Sequence, residues 1–171
     1  MIGIPIGLLY ASAGEWLIHR YFLHGPSADD GESSHARAHH RNARRFRMYD
    51  PDYEQLLIGW NAPTKELLGL GALAAVHLPL FPLAPFFTGT VLYSLVRYFR
   101  VHRRAHLDPA WAESNLPWHV DHHLSREAES NWGISRPWVD HWMGTRKVRR
   151  RGKSLSRKRL ATRRRTRARK S

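Results

Sequence analysis

Apolar positions come in two long runs, separated by stretches rich in histidine and arginine. The first run, Met1–Ile18, is apolar except for Glu15 near its end. The second, Leu67–Phe99, holds one formally charged residue, Arg97, over 33 positions. An unbroken helix over the second run would reach roughly 50 Å, well beyond a hydrocarbon core of about 30 Å. Pro79, Pro82 and Pro85 stand at its centre, and proline inside a helix removes a hydrogen bond and clashes with the preceding turn. The pattern therefore predicts a helical hairpin with legs Leu67–Leu78 and Phe86–Arg100. Each leg is short for a span of about 20 residues. That leaves a hairpin reaching part-way, legs lengthened by Trp60–Glu66, or a buried hairpin in a soluble protein. Met1–Ile18 is too long for a signal peptide and lacks the charged start and cleavage site of one. Seven tryptophans and ten prolines suit an interfacial membrane protein, since tryptophan favours the headgroup level. The expected fold is all-α: a membrane-embedded helical bundle carrying a cytoplasmic, histidine-rich helical cap.

Charge divides the chain in two. Residues 1–145 carry 13 of the 28 Lys+Arg and all 14 Asp+Glu, whereas 146–171 carry 15 basic residues and no acid. The high net charge of +14 therefore belongs to the tail. A like-charged run with almost no apolar residue cannot offset its ordering entropy, so 146–171 is expected to be disordered, behind one domain over 1–145. A solvated appendage, or attraction to anionic headgroups, fits that tail better than specific nucleic-acid binding. If Met1–Ile18 crosses once and the hairpin returns to its own side, the arginines at 37, 41, 44, 45 and 47, those at 100, 103 and 104, and the tail share one side. The positive-inside rule makes that side cytoplasmic.

Ten of the twelve histidines fall into four boxes on that same side: His19 and His24; His35, His39 and His40; His102 and His106; His119, His122 and His123. Neutral imidazole is the commonest side-chain metal ligand. Spacings of three and four stack side chains on one helix face, where one cation can be gripped by both. His119, His122 and His123 offer both spacings at once. His19 and His24 are five apart and do not stack on an ideal α-helix. His77, inside the outward leg, and His141 stand outside the set.

The chain has no cysteine, which excludes thiolate metal sites, disulfides and cysteine nucleophiles. Ten imidazoles are too many for one ion and suit two. An all-nitrogen site fits iron, with zinc able to substitute in a purified sample. Asp121, Asp140 and Glu113 are candidates to hydrogen-bond the far ring nitrogens, as metal-bound histidines require.

The order of these motifs resembles the fatty acid hydroxylase/sterol desaturase superfamily of membrane non-haem di-iron oxygenases, over about residues 10–147. The resemblance rests on Glu15-Trp16-x2-His19-Arg20-Tyr21-x2-His24, then the His35-x3-His39-His40 box, the hairpin, His102-x3-His106 and His119-x2-His122-His123. The closing segment Asn131-Trp132-Gly133, with Pro137-Trp138-Val139-Asp140 and Gly144-Thr145, reinforces it. It implies two irons on the ten box histidines, dioxygen activation, and hydroxylation of a lipid C–H bond. Many relatives have two residues, not three, between the first histidines of the second box. The family's usual four spans shrink here to one segment and a short hairpin, so a homo-oligomer could supply the rest. Electrons must come from a separate carrier, cytochrome b5-like or a ferredoxin, because no such domain is attached.

The expected activity is hydroxylation of a long fatty acyl chain or other lipid, entering between hairpin and first helix past Leu68, Leu73, Phe86, Phe87 and Tyr93. Sterol or carotenoid oxidation is the nearest rival. A membrane zinc hydrolase, a metal buffer or transporter, and a nucleic-acid-binding protein carried by the tail represent other classes.

Overall fold

The computed structural model describes residues 1–24, 39–55, 57, 59–125 and 129–149. These are mostly helical, and no strand occurs among them, in line with the all-α expectation. In chain order come α1 (Gly3–Leu17), a π-helical turn (Ile18–Leu23), α2 (Arg41–Arg45), a 3-10 turn (Pro51–Glu54), α3 (Ala62–His77), a second 3-10 turn (Leu78–Leu80), α4 (Pro85–Leu107), α5 (Pro109–Asn115), α6 (Pro117–Leu124) and α7 (Trp138–Trp142).

Proline sets where most of these helices begin. Pro63, Pro85, Pro109 and Pro117 each sit in a first turn, where the missing N–H is no loss. Asn61 caps α3 by accepting from Thr64 N at 3.0 Å, and Asp108 caps α5 by accepting from Trp111 N at 3.0 Å. A residue before proline is pushed out of helical conformation. Asp108 and Leu116 are both non-helical in this way, so the chain turns twice after α4. Those turns bring α6 back against the end of α4.

The hairpin forms as expected, with α3 and α4 as its legs and the proline-rich bend between them. α1 packs along α4 because two glycines let the backbones approach. A β-carbon at Gly3 would lie 2.8 Å from Phe87 N, and one at Gly7 2.9 Å from Thr90 Cβ. These three helices form an arm whose surface is apolar: Ile2, Ile6, Val76, Leu78, Leu83 and Phe86 are all at least half exposed. Ser12, His77, Thr88 and Ser94 are instead buried within it.

No helix among the described residues is long and apolar enough to cross a membrane. The full crossing expected of Met1–Ile18 meets a helix of 15 residues, roughly 22 Å at 1.5 Å per residue. α4 has 23 residues, but Arg97, Arg100, Arg103 and Arg104 make its second half polar.

The other end of the molecule is a cap built from the π turn, α2, the end of α4, and α5 to α7. Its apolar core is thin: Met48, Ala105, Ala112, Leu116 and Val120 form one cluster, and Trp16, Trp132 and Val139 another. Histidine supplies much of what remains. His19, His102, His106, His119, His122 and His123 rank among the largest fully buried side chains. The tail begins differently from expectation. Arg146 Nη1 lies 3.0 Å from Asp121 Oδ2, so the described residues 146–149 start against the cap. The rest of the basic tail lies outside the described residues.

Candidate metal centre

The π turn is what makes the first box work. Its i to i+5 hydrogen bonding, seen in His24 N to His19 O at 3.1 Å, places residues five apart on one face. The two rings come to 5.0 Å between centroids. Sequence spacing alone argued against that pairing. π turns are rare and collect at functional sites. His39 and His40 also have π-helical geometry, just ahead of α2. His102 and His106 occupy the last two turns of α4, and His119, His122 and His123 line α6.

These elements gather the boxes into two nitrogen cages. His19, His24, His40 and His122 form one, and His39, His102, His106 and His123 the other. In each, the candidate ligand atoms lie within 4.8 Å of one another. Each cage draws on three different boxes. The cages share a wall, since the His40 and His123 rings are 4.2 Å apart and those of His122 and His123 5.2 Å. His119 stands beside them, its Nε2 3.1 Å from His106 Nε2. Among the ten sequence candidates, His35 lies outside the described residues.

Hydrogen bonds orient the rings. A backbone carbonyl can only accept, so three imidazoles must carry their proton on Nδ1. His19 donates to Trp132 O at 2.6 Å, His106 to Met48 O at 2.8 Å, and His122 to Ser130 O at 2.7 Å. Carboxylates do the same for two more. His39 Nδ1 lies 2.7 Å from Asp50 Oδ2, and His102 Nδ1 lies 3.0 Å from Glu66 Oε1. All five therefore turn an Nε2 lone pair inward, the form a metal requires.

Burial keeps these rings neutral. It is the main reason that His24 falls to about 4, His19 to about 3 and His40 to about 2. The Arg44 guanidinium adds to the effect on His24 and His40. Burial likewise pushes His119, His122 and His123 well below the ordinary imidazole range.

The residues fit metal ions on two counts. His40 and His122 face each other Nε2 to Nε2 at 3.1 Å, as His106 and His119 do. Opposed lone pairs at that distance repel unless a proton or a cation lies between them. Ligands each about 2.1 Å from one ion sit roughly 3.0 to 3.4 Å apart at adjacent positions. Secondly, His102 Nε2, His119 Nδ1 and both nitrogens of His123 are buried with no hydrogen-bond partner. Each such atom costs about 1–3 kcal/mol, a penalty that coordination would remove.

The acidic partners differ from those expected. Asp121 pairs with Arg146 and Arg149, and Glu113 with Arg149 at 3.7 Å. Asp140 acts one step removed. It accepts from Trp132 N at 2.8 Å, Gly133 N at 2.7 Å and Thr145 Oγ1 at 2.7 Å, and so aims the Trp132 carbonyl at His19. Glu15 holds the next two amides, Ile134 N and Ser135 N.

Asp50 and Glu66 take the roles sequence reading assigned to those acids. Asp50 also caps the 3-10 turn, accepting from Asp52 N at 3.1 Å. Glu66 offered one signal, an acid at the mouth of an apolar leg. Met48 gave none. Its φ of 86° lies in the left-handed region, disfavoured for a side chain of this kind. That conformation accompanies a carbonyl turned to His106.

The two histidines left outside the set stay outside. His77 donates from Nδ1 to Leu73 O at 2.7 Å and accepts from Tyr10 OH at 2.9 Å, a clasp between α1 and α3. His141 is exposed on α7. Of the expected lipid-lining residues, Phe86 and Tyr93 line an open groove between α1 and α4 with Ile4, Leu8, Thr90 and Arg136. Phe87 packs on Tyr10 instead, and Leu68 and Leu73 lie on the other leg.

The fold and site define a helical protein with two adjoining histidine cages able to hold metal. No protein-family model, curated protein or solved structure matches the chain.

Proposed function

We propose that the chain is a membrane-bound, di-iron lipid hydroxylase. The observation that carries this reading is the pair of adjoining four-histidine cages, built without a single protein carboxylate in either set. Two irons held there would activate dioxygen with electrons from a separate carrier, cytochrome b5-like or a ferredoxin. The overall reaction balances as a lipid C–H, O2, two electrons and two protons giving a lipid alcohol and water.

The chain's own groups do the preparatory work. His19, His39, His102, His106 and His122 are held in one tautomer by fixed acceptors, so the cages are preorganised. Trp132, fully buried, packs edge-on or tilted against the rings of His19, His24 and His122. The inside-out arm supports a membrane setting, since its apolar residues face outward while its polar ones are buried. With no described helix both long and apolar enough to cross, it would sit in one leaflet with the cap beneath the headgroups, on the cytoplasmic side. An acyl chain would follow the α1–α4 groove, past Phe86 and Tyr93 towards Arg136. The apolar lining of that open groove suits a linear acyl or acyl-lipid chain.

The test is to express the chain in a host and profile its lipids under 18O2. A lipid gaining one labelled oxygen, absent from the H122A/H123A double variant, supports the reading. Turnover that survives without oxygen or reductant would replace it with a zinc hydrolase.

A further inference from the structure

We infer that the groove between α1 and α4 binds a free long-chain fatty acid, with Arg136 and Arg97 holding its carboxylate at the cap end. This rests on the lipid-hydroxylase reading and adds which acyl compound the site takes, the acid rather than its ester.

The groove follows from helix periodicity. Steps of four residues keep side chains on one helix face, and Gly89, Tyr93 and Arg97 make such a row on α4. Ile4 and Leu8 make another on α1, which Glu15 continues two turns further on. Between the rows lies an open groove of about 400 Å³, lined by Ile4, Leu8, Phe86, Gly89, Tyr93 and Arg136 among others. That volume falls in the range of roughly 300–1,000 Å³ usual for small-molecule sites. Gly89 deepens the groove, because a β-carbon there would meet nothing within 4 Å. Thr90 Oγ1 donates to Phe86 O at 2.6 Å, so its hydroxyl is already satisfied. The walls are thus apolar as far as Tyr93 and charged beyond it.

The charged end is positive. Arg97 Nη1 donates to Ser135 O at 3.2 Å, which ties α4 to the segment carrying Arg136. The Arg136 guanidinium stacks on Trp138, 5.0 Å from the ring centroid. Burial first, and then the charge of Arg97, lowers Arg136 below the ordinary arginine range, while Glu15 opposes that shift. Glu15 itself accepts from Ile134 N, and from Ser135 N at 2.7 Å. Two guanidiniums facing one carboxylate leave an excess of one positive charge.

A second carboxylate matches that excess, and its two oxygens fit the planar guanidinium fork. A single groove between two helices houses one chain, whereas a diacyl phospholipid brings two. With its head at Arg136 and its tail towards Phe86 and Ile4, the acid lies as lipids do in one leaflet. An ester of the same chain offers a neutral head and gains nothing from the arginine pair.

The experiment reconstitutes the full-length chain in phosphatidylcholine vesicles at about pH 9, well above the ordinary carboxylate range. Spin-labelled stearic acid, its methyl ester, and spin-labelled phosphatidylcholine and phosphatidic acid are compared by the fraction that electron paramagnetic resonance finds immobilised. The acid should be held about tenfold more strongly than the ester, as a charge-assisted hydrogen bond allows. R136Q should abolish that preference and R136K retain part of it. R104Q, at an exposed arginine stacked on Trp111 instead, should leave it intact. G89F should fill the groove and bring the acid down to the level of phosphatidylcholine. Circular dichroism on each variant reports folding. Equal retention of acid and ester by the wild type, or a preference that survives R136Q, would overturn the inference. So would loss of the preference in R104Q, which would assign it to general surface charge, or tighter retention of phosphatidic acid, which would assign the groove to a phospholipid. None of these readouts involves turnover, so they stand apart from the 18O2 labelling, whose failure would remove the hydroxylase instead.

Discussion

Arm and cap obey opposite rules of burial. In the arm, Leu83 is 85% exposed and Ile2 77%, while Ser12, Thr88 and Ser94 are buried. In the cap, nine histidines gather where a soluble domain would place leucine. In lipid, helices gain nothing by hiding leucine from one another, and neutral imidazoles are the commonest side-chain metal ligands. The proposed function therefore gives each half something outside the polypeptide: acyl chains for the arm, metal ions for the cap.

The largest expected effect comes from removing cap ligands. H122A/H123A takes one histidine from each cage and leaves no set of four intact. Metal content by mass spectrometry should fall from two ions per chain to below one half. The matching change in the arm, L83E/F86E, should leave metal content unchanged and release the protein from liposomes by at least tenfold. If either pair of substitutions moved both readouts, the two halves would not be separable.

Acidification should act on the cap alone. His19 and His40 titrate at about 3 and about 2 when folded, below the ordinary 6.5 of an unfolded chain. The unfolded state therefore takes up protons first. Stability of the metal-free protein is intact above about pH 6.5 and declines as pH falls towards the folded values. Each buried ring removes up to about 1.4 kcal/mol per pH unit. Melting temperatures from pH 7 to pH 5 read this directly. A flat profile would mean the rings already carry protons or lie in water.

A smaller effect tests the strap that orients the first cage. A β-carbon at Gly133 would collide with the carbonyl of Arg136 and approach Asp140 Oδ2 to 3.0 Å. G133A should cost about 1–3 kcal/mol, as other overpacking changes do. It should also weaken the His19 cage more than the His39 cage, because Trp132 O moves with it. Equal loss from both would show that the strap supports the whole cap rather than one ring.

Much of this arrangement was legible in the sequence, for identifiable reasons. Proline placement gave the hairpin, and the helix starts at Pro85, Pro109 and Pro117 follow the same chemistry. Histidine spacing gave the boxes at His102 and His119, where α-helical periodicity applies. It failed at His19 and His24, because nothing in Ile18–Leu23 advertises a π turn over an α turn. Asp50 and Glu66 were missed because a carboxylate's partner depends on how α3 and the 3-10 turn pack against α4. Asp121 drew attention by standing inside a histidine box, yet its neighbours along α6 turn it towards Arg146. Met1–Ile18 overruns α1 because its apolar residues continue into the π turn that carries His19.

On the proposed function, histidines from four separate segments close around two ions. X-ray absorption at the iron edge, on protein purified with iron and quantified per chain, tests it most directly. Two irons per chain with a first shell dominated by imidazole nitrogen is the predicted result. Iron bound at one equivalent or less, or a shell of water oxygen alone, would contradict it.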